Sequence, residues 1–219
     1  MGEIVVFSGD ESWVGGQKLA ADPAVDVESA ERRGVYAFHR GQFRERLAYV
    51  RHPNNPTYLV PYSEFNEFVL LDKYNEALRV LTSLGASWVR CTSFRSNSRE
   101  RGARIVIGPA KFGGGAERRG KSQYDYEHSG VGRAPVDPRP LRWPGEPGME
   151  SAIDAVLRNG VDYVRITVNR EQTALRDGEV PVRIKKLGVD LGVYSSSARV
   201  DTLEFEARFP GGQDLRRRR

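Results

Sequence analysis

The sequence predicts an α+β protein made of two sequence-related halves, each a helix followed by strands, joined in one mixed or antiparallel sheet. Both helices are expected mainly on one face, with a pseudo-twofold axis between the halves. Three observations predict this. The run Gly85-Ala86-Ser87-Trp88-Val89-Arg90-Cys91-Thr92 returns 75 positions later as Gly160-Val161-Asp162-Tyr163-Val164-Arg165-Ile166-Thr167. Ala77 and Ala152, Leu78 and Ile153, Arg101 and Arg176, Lys111 and Lys186, and Gly113 and Gly188 keep the same offset. An apolar stripe at helical spacing precedes the first run, and strictly alternating segments follow each one.

In chain order, residues 3–7 (EIVVF) read as a short strand ended by the turn Ser8-Gly9-Asp10. Residues 9–33, with Gly15-Gly16, Pro23 and DVESAERR, read as loops holding one short helical turn. Val35–Phe38 and Leu47–Val50 are short apolar strands, the second running into the corner His52-Pro53-Asn54-Asn55-Pro56. The clearest element is a helix over 63–84, with Ser63 as N-cap and Gly85 as left-handed C-cap. Phe65, Phe68, Leu71, Tyr74, Leu78 and Leu81 give it an apolar stripe, leaving Glu67, Asp72, Glu76 and Arg79 on other faces.

The following strand, 87–94, alternates, and the second copy decides which side is buried. Val164, Ile166 and Val168 share one face there, so the matching Val89 and Cys91 are expected to face the core. A shorter helix, 149–159, precedes the second copy and ends at Gly160. Segment 122–127 reads as the last strand of the first half. Leu203, Phe205, Ala207 and Phe209, alternating with Glu204, Glu206 and Arg208, form that of the second. The domain reading is therefore 1–56 as N-terminal strands and loops packed on the first half and 57–128 as the first repeat. A Gly/Pro/Arg-rich linker spans 129–148, the second repeat 149–210 and a basic tail 211–219.

Composition bounds the function classes. The 219 residues are 39% hydrophobic and 29% charged, enough to fold around a core. No run approaches the roughly 18–20 apolar residues of a spanning helix, and the N-terminus carries Glu3 where a signal peptide is basic. A cytoplasmic location is the expectation. Cys91 is the only cysteine, so an intrachain disulfide and a multi-cysteine zinc site are excluded. Net charge is +5 and 28 of the 34 basic residues are arginine, the side chain suited to phosphate, although 29 acids are interspersed.

Catalytic chemistry is thinly supplied. His39, His52 and His128 lie at no metal-ligand spacing from one another or from Cys91, whose register makes it core rather than nucleophile. Gly113-Gly114-Gly115 lacks the strand-loop-helix frame and trailing Lys-Ser/Thr of a phosphate loop. The carboxylates Glu64, Glu67, Asp72 and Glu76 fit a solvated helix face. An enzyme is unsupported rather than excluded, and no catalytic residue, metal or cofactor is assigned.

Binding is better supplied. Trp88, Arg90 and Thr92 in one copy and Tyr163, Arg165 and Thr167 in the other lie opposite the inferred core, forming matching aromatic-Arg-Thr rows. Such rows stack on bases and pair with phosphates. The clusters at 95–104, Arg118-Arg119-Lys121 and 216–219 extend a basic track. The function expected is non-enzymatic binding of a polyanion, nucleic acid first. The alternatives are a membrane-associating or pore-forming effector using the glycine-rich hairpin region 105–130, favoured by anionic lipid, and a protein-interaction module docking a partner through the Trp143-Pro144 corner.

Overall fold

The computed structural model describes residues 3–94, 124, 126–169, 179–192 and 202–210. The chain divides into two compact units, residues 1–69 with 171–196, and 70–170 with 197–219; the division falls inside a helix, between Val69 and Leu70.

In the first unit, strands β1 (Ile4–Ser8), β2 (Val25–Ser29), β3 (Ala37–Phe38), β4 (Ala48–His52) and β5 (Asn55–Pro61) form a mixed sheet in the order β2-β1-β4-β5-β3. Ile4 to Phe7 are buried on both faces, as an unbroken apolar run at the centre of a sheet requires. β1 is parallel to β2 and antiparallel to β4, and helix α1 (Val14–Ala20) makes the crossover to β2. The expectation of loops over 9–33 is therefore corrected. Glycine and proline masked a seven-residue helix and a strand whose Asp26 and Glu28 break the apolar pattern. Gly15 is needed in α1 because a Cβ there would meet the Trp13 ring at 2.8 Å and the backbone carbonyl of Leu187. Strand β5, hidden by Pro56 and Pro61, extends the sheet from the corner at 53–54. The Phe7 ring meets Tyr36, Phe38, Phe43 and Tyr49 edge-on, with centroids 5.5–6.1 Å apart. A fourth helix, α4 (Glu179–Lys186), belongs to this unit, and the residue Asp190 beyond it bridges to Leu47.

Helix α2 (Phe65–Ser83) is the predicted long helix. It starts two residues later than read, with the Glu64 carbonyl accepting from Phe68. It ends as expected: Gly85 has φ +82°, the Gly85 N–H donates to the Thr82 carbonyl and that of Ala86 to the Leu81 carbonyl. In the second unit, α2, α3 (Pro147–Asn159) and one face of an antiparallel sheet enclose a single core. The sheet order is β7-β6-β9-β8, from β6 (Trp88–Phe94), β7 (Tyr126–Ser129), β8 (Tyr163–Asn169) and β9 (Thr202–Arg208). Val89, Cys91, Val164, Ile166, Val168, Leu203, Phe205 and Ala207 all point into it, in the register expected. The first half's end strand runs over Tyr126–Ser129 among the described residues, two residues past the end read, and Tyr124 ahead of it is buried.

The strands of both halves share one antiparallel sheet, as expected, and the N-terminal strands form a second sheet of their own, but the halves are not related by the expected twofold. β6 and β8 have bounds that coincide at the offset of 75, and both are antiparallel to β9, which lies between them. Arg90 and Arg165 both oppose Glu206, Cys91 and Ile166 both oppose Phe205, and Thr92 and Thr167 both oppose Glu204. Matched residues thus run in the same direction and turn the same face, which is a step across the sheet and not a twofold rotation.

The predicted α2 stripe is also widened. Phe65, Tyr74 and Leu81 are buried as read and Leu71 is exposed, while Leu70, Ala77 and Val80 are buried along with Lys73 and Glu76. The reason is a second covering on the helix. Segment 137–146, read as an exposed linker, lies along α2 and is tied down by polar contacts. The Arg79 guanidinium donates to the Pro138 carbonyl (3.0 Å), the Trp143 Nε1–H to Asp72 (2.8 Å) and the Arg142 N–H to Glu76 (2.7 Å). Lys73 sits 4.8 Å from the Trp143 ring centre and pairs with Glu146.

Candidate functional site

The six predicted face residues do come together. The solvent side of the β7-β6-β9-β8 sheet carries them in rows that continue across all four strands. One row reads Glu127, Arg90, Glu206, Arg165, alternating in sign from edge to edge. The row beside it holds Trp88, Arg208 and Tyr163, and a third holds Thr92, Glu204 and Thr167. β9 lies between β6 and β8, and its outer residues are two glutamates and an arginine.

The geometry is that of mutual neutralisation. Arg165 donates to Glu206 Oε1 at 2.8 Å and lies 3.9 Å from Glu204; the Tyr163 hydroxyl donates to the same Glu206 oxygen at 2.9 Å. The Trp88 Nε1–H donates to Glu127 at 3.2 Å, and the Arg208 guanidinium lies 5.5 Å from the Trp88 ring centre. The Tyr163 hydroxyl, with Arg165 and then Arg90 against partial burial, holds the Glu206 carboxyl below the ordinary carboxylate range. Hydrogen bonds from Arg165 to Tyr163 and Glu206 raise the arginine in turn. Three arginines thus face three glutamates. Exposed pairs of this kind are worth only about 0–1 kcal/mol and exchange partners readily, but their summed field is near zero. The face is open to water, with Tyr163 41% exposed. Arg118, Arg119 and Lys121, the other predicted binding residues, lie outside the described residues, as does the glycine-rich part of the hairpin region from 105 to 123.

At the Trp143-Pro144 corner the Trp143 side chain is 5% exposed and bonded to Asp72 of α2, so the tryptophan is not presented to solvent. Two of the four helix carboxylates, Asp72 and Glu76, are not on a solvated face. Asp72 accepts from Trp143, and the fully buried Glu76 side chain accepts from Arg79 twice at 2.7 Å.

Two histidines that sequence spacing set aside share a cluster in the first unit. His39 Nδ1 lies 3.1 Å from the Tyr58 hydroxyl and its Nε2 3.6 Å from Glu64, while the Phe68 ring packs against both His39 and His52 at 4.8 and 5.7 Å. Burial, opposed by Glu64 and aided by Arg40, lowers the His39 pKa, so the ring is neutral at pH 7. Among the described residues, no three His, Cys, Asp or Glu side chains are placed to hold a metal ion. No helix among them is long and apolar enough to cross a membrane.

A cavity of about 290 Å³ lies beside the β7 edge in the second unit. Tyr126 and His128 oppose Cys91 and Val89, so they project to the helix side of the sheet, yet both remain exposed because β7 is the outermost strand. Their rings are near parallel, 26° apart with centroids 6.4 Å apart. Thr82, Ala86, Val89 and residues 130–133 line the cavity with them. The sequence signal for it was Tyr126-Glu127-His128, an alternation with an aromatic and an imidazole on one side.

Comparison of the chain with protein-family models, with curated proteins and with solved structures found no match in any of the three.

Proposed function

We propose that the protein binds a polyanion, nucleic acid in the first place, and that the contact comes from the basic stretch joining β6 to β7 and not from the sheet-face arginines. The observation that carries this is the partition of charge. The sheet face carries three arginines and three glutamates, whereas residues 95–123 hold eight basic and two acidic side chains and the tail ends in four arginines. Phosphate affinity follows excess positive charge, through release of counterions. Balanced rows release few.

The test is fluorescence anisotropy of a labelled oligonucleotide across a salt series. Replacing Arg118, Arg119 and Lys121 together by serine should weaken binding and flatten the salt slope by about 0.7–0.9 per lost phosphate contact. Replacing Arg90 and Arg165 together by glutamine should leave affinity within about twofold, since Arg165 is bonded to Glu206 and Arg90 stands in register between Glu127 and Glu206. Salt-independent binding, or none, refutes the proposal; so does loss confined to the Arg90/Arg165 variant. Anionic vesicles titrated in parallel separate the lipid alternative, which gains if they bind and the oligonucleotide does not.

A further inference from the structure

We propose that the cavity beside β7 is a nucleobase subsite, in which Tyr126 and His128 stack a base of a single-stranded nucleic acid. The inference rests on the polyanion reading and adds what that reading lacks, a reason to prefer unpaired nucleic acid over any other polyanion.

Four observations lead there. The two rings are near parallel, side by side on one face of an edge strand and exposed, where buried aromatics would be consumed by packing. Rings so presented offer π-faces to a base, an interaction open to every base because each has a π-face. The cavity, about 290 Å³, is at the lower end of the range of small-ligand sites, about 300–1,000 Å³, which suits one planar group and not an extended ligand. Its lining includes Arg133 and Thr82, side chains able to donate to a base edge or a phosphate, together with the apolar Ala86 and Val89. Finally, residues 95–123, which precede β7 in the chain, carry the excess positive charge on which the polyanion reading rests. The opposite face of the same sheet offers Trp88 and Tyr163 as well, but both are engaged in that face's own polar lattice, Trp88 with Glu127 and Tyr163 with Glu206.

The experiment compares three probes by anisotropy and competition: a labelled oligothymidylate, an abasic deoxyribose-phosphate strand of the same length, and inorganic polyphosphate. The wild-type chain should bind the base-bearing strand about tenfold more tightly than the abasic one. Tyr126→Ala with His128→Ala should lower that affinity to the abasic level while abasic and polyphosphate binding stay unchanged. Tyr126→Phe with His128→Phe, which keeps both rings, should restore the preference, so a general structural defect is told apart from lost stacking. Equal affinity for base-bearing and abasic strands, with polyphosphate still competing, overturns the subsite alone and leaves the polyanion reading standing. An alanine variant that retains the full preference overturns it as well. Failure to bind any of the three probes overturns both.

Discussion

Glu76→Gln measures what holds segment 137–146 to α2. The Glu76 carboxylate is fully buried and accepts three short hydrogen bonds, two from the Arg79 guanidinium and one from the Arg142 N–H, all at 2.7 Å. Glutamine keeps the shape but has one acceptor oxygen. With that oxygen toward Arg142, its amide group points at Arg79 Nε, donor against donor. One charge-assisted bond is lost outright, and the remaining guanidinium contact becomes neutral. Bonds to charged groups are worth about 1.5–3 kcal/mol each and breaking a buried pair about 3–5. Arg79 is one-third exposed and can turn to water, which discounts the cost to about 3 kcal/mol. For a chain of this size that is a Tm drop of roughly 6–12 °C. Calorimetry or urea unfolding checks it, and limited proteolysis should show earlier cleavage between 137 and 146. The wild type should also lose this stability in acid. Burial would raise the Glu76 pKa, but Arg79 and Arg142 outweigh it and hold it below 4.5. The contribution is therefore full above the unfolded value of about 4.5 and fades as pH falls through the lower folded value. A Glu76→Gln variant within about 0.5 kcal/mol of wild type at pH 7 would refute the reasoning, because surface substitutions alone give that much.

Gly85→Ala should cost about 2 kcal/mol or more in urea unfolding, since φ is +82° and an added Cβ would abut the Arg133 carbonyl; a neutral outcome would mean that this turn relaxes freely. Cys91, 4% exposed in the sheet core, should react with an aromatic disulfide reagent roughly a hundredfold more slowly in the native state than in denaturant, and fast native labelling would place it outside the core. Stability should decline as pH falls below about 6.5, because the lowered His39 pKa means that the unfolded chain takes up its proton first; His39→Gln should remove that part of the slope, and an unchanged pH profile would count against the burial assigned to this ring.

Patterns with a local cause were legible in the chain. β6, β8 and β9 alternate with period two, so Val89 and Cys91 could be placed in the core by comparison with Val164 and Ile166. The helix stops at Gly85 and Gly160 were readable because a left-handed residue is a local requirement, met in both by φ values of +82° and +62°. β2 and β5 were not legible. Asp26 and Glu28 interrupt one, two prolines the other, and each is a strand only because β1 and β4 offer it a ladder.

The candidate site followed the same division. Which residues lie opposite the core was set by alternation alone, whereas their charge state depended on β9, whose glutamates arrive from more than 100 residues beyond β6 in the chain. Register across strands turned a candidate phosphate-binding face into a balanced lattice, as it set Tyr126 and His128 side by side at the sheet edge. The buried polar side of α2 is the clearest case. Glu76 and Lys73 look like surface residues to any local reading, and only the return of residues 137–146, some 65 positions later, removes them from water and supplies their partners. Backbone conformation and face are short-range properties written in neighbouring residues; burial of charge and complementarity are long-range, and the tertiary structure alone decided them.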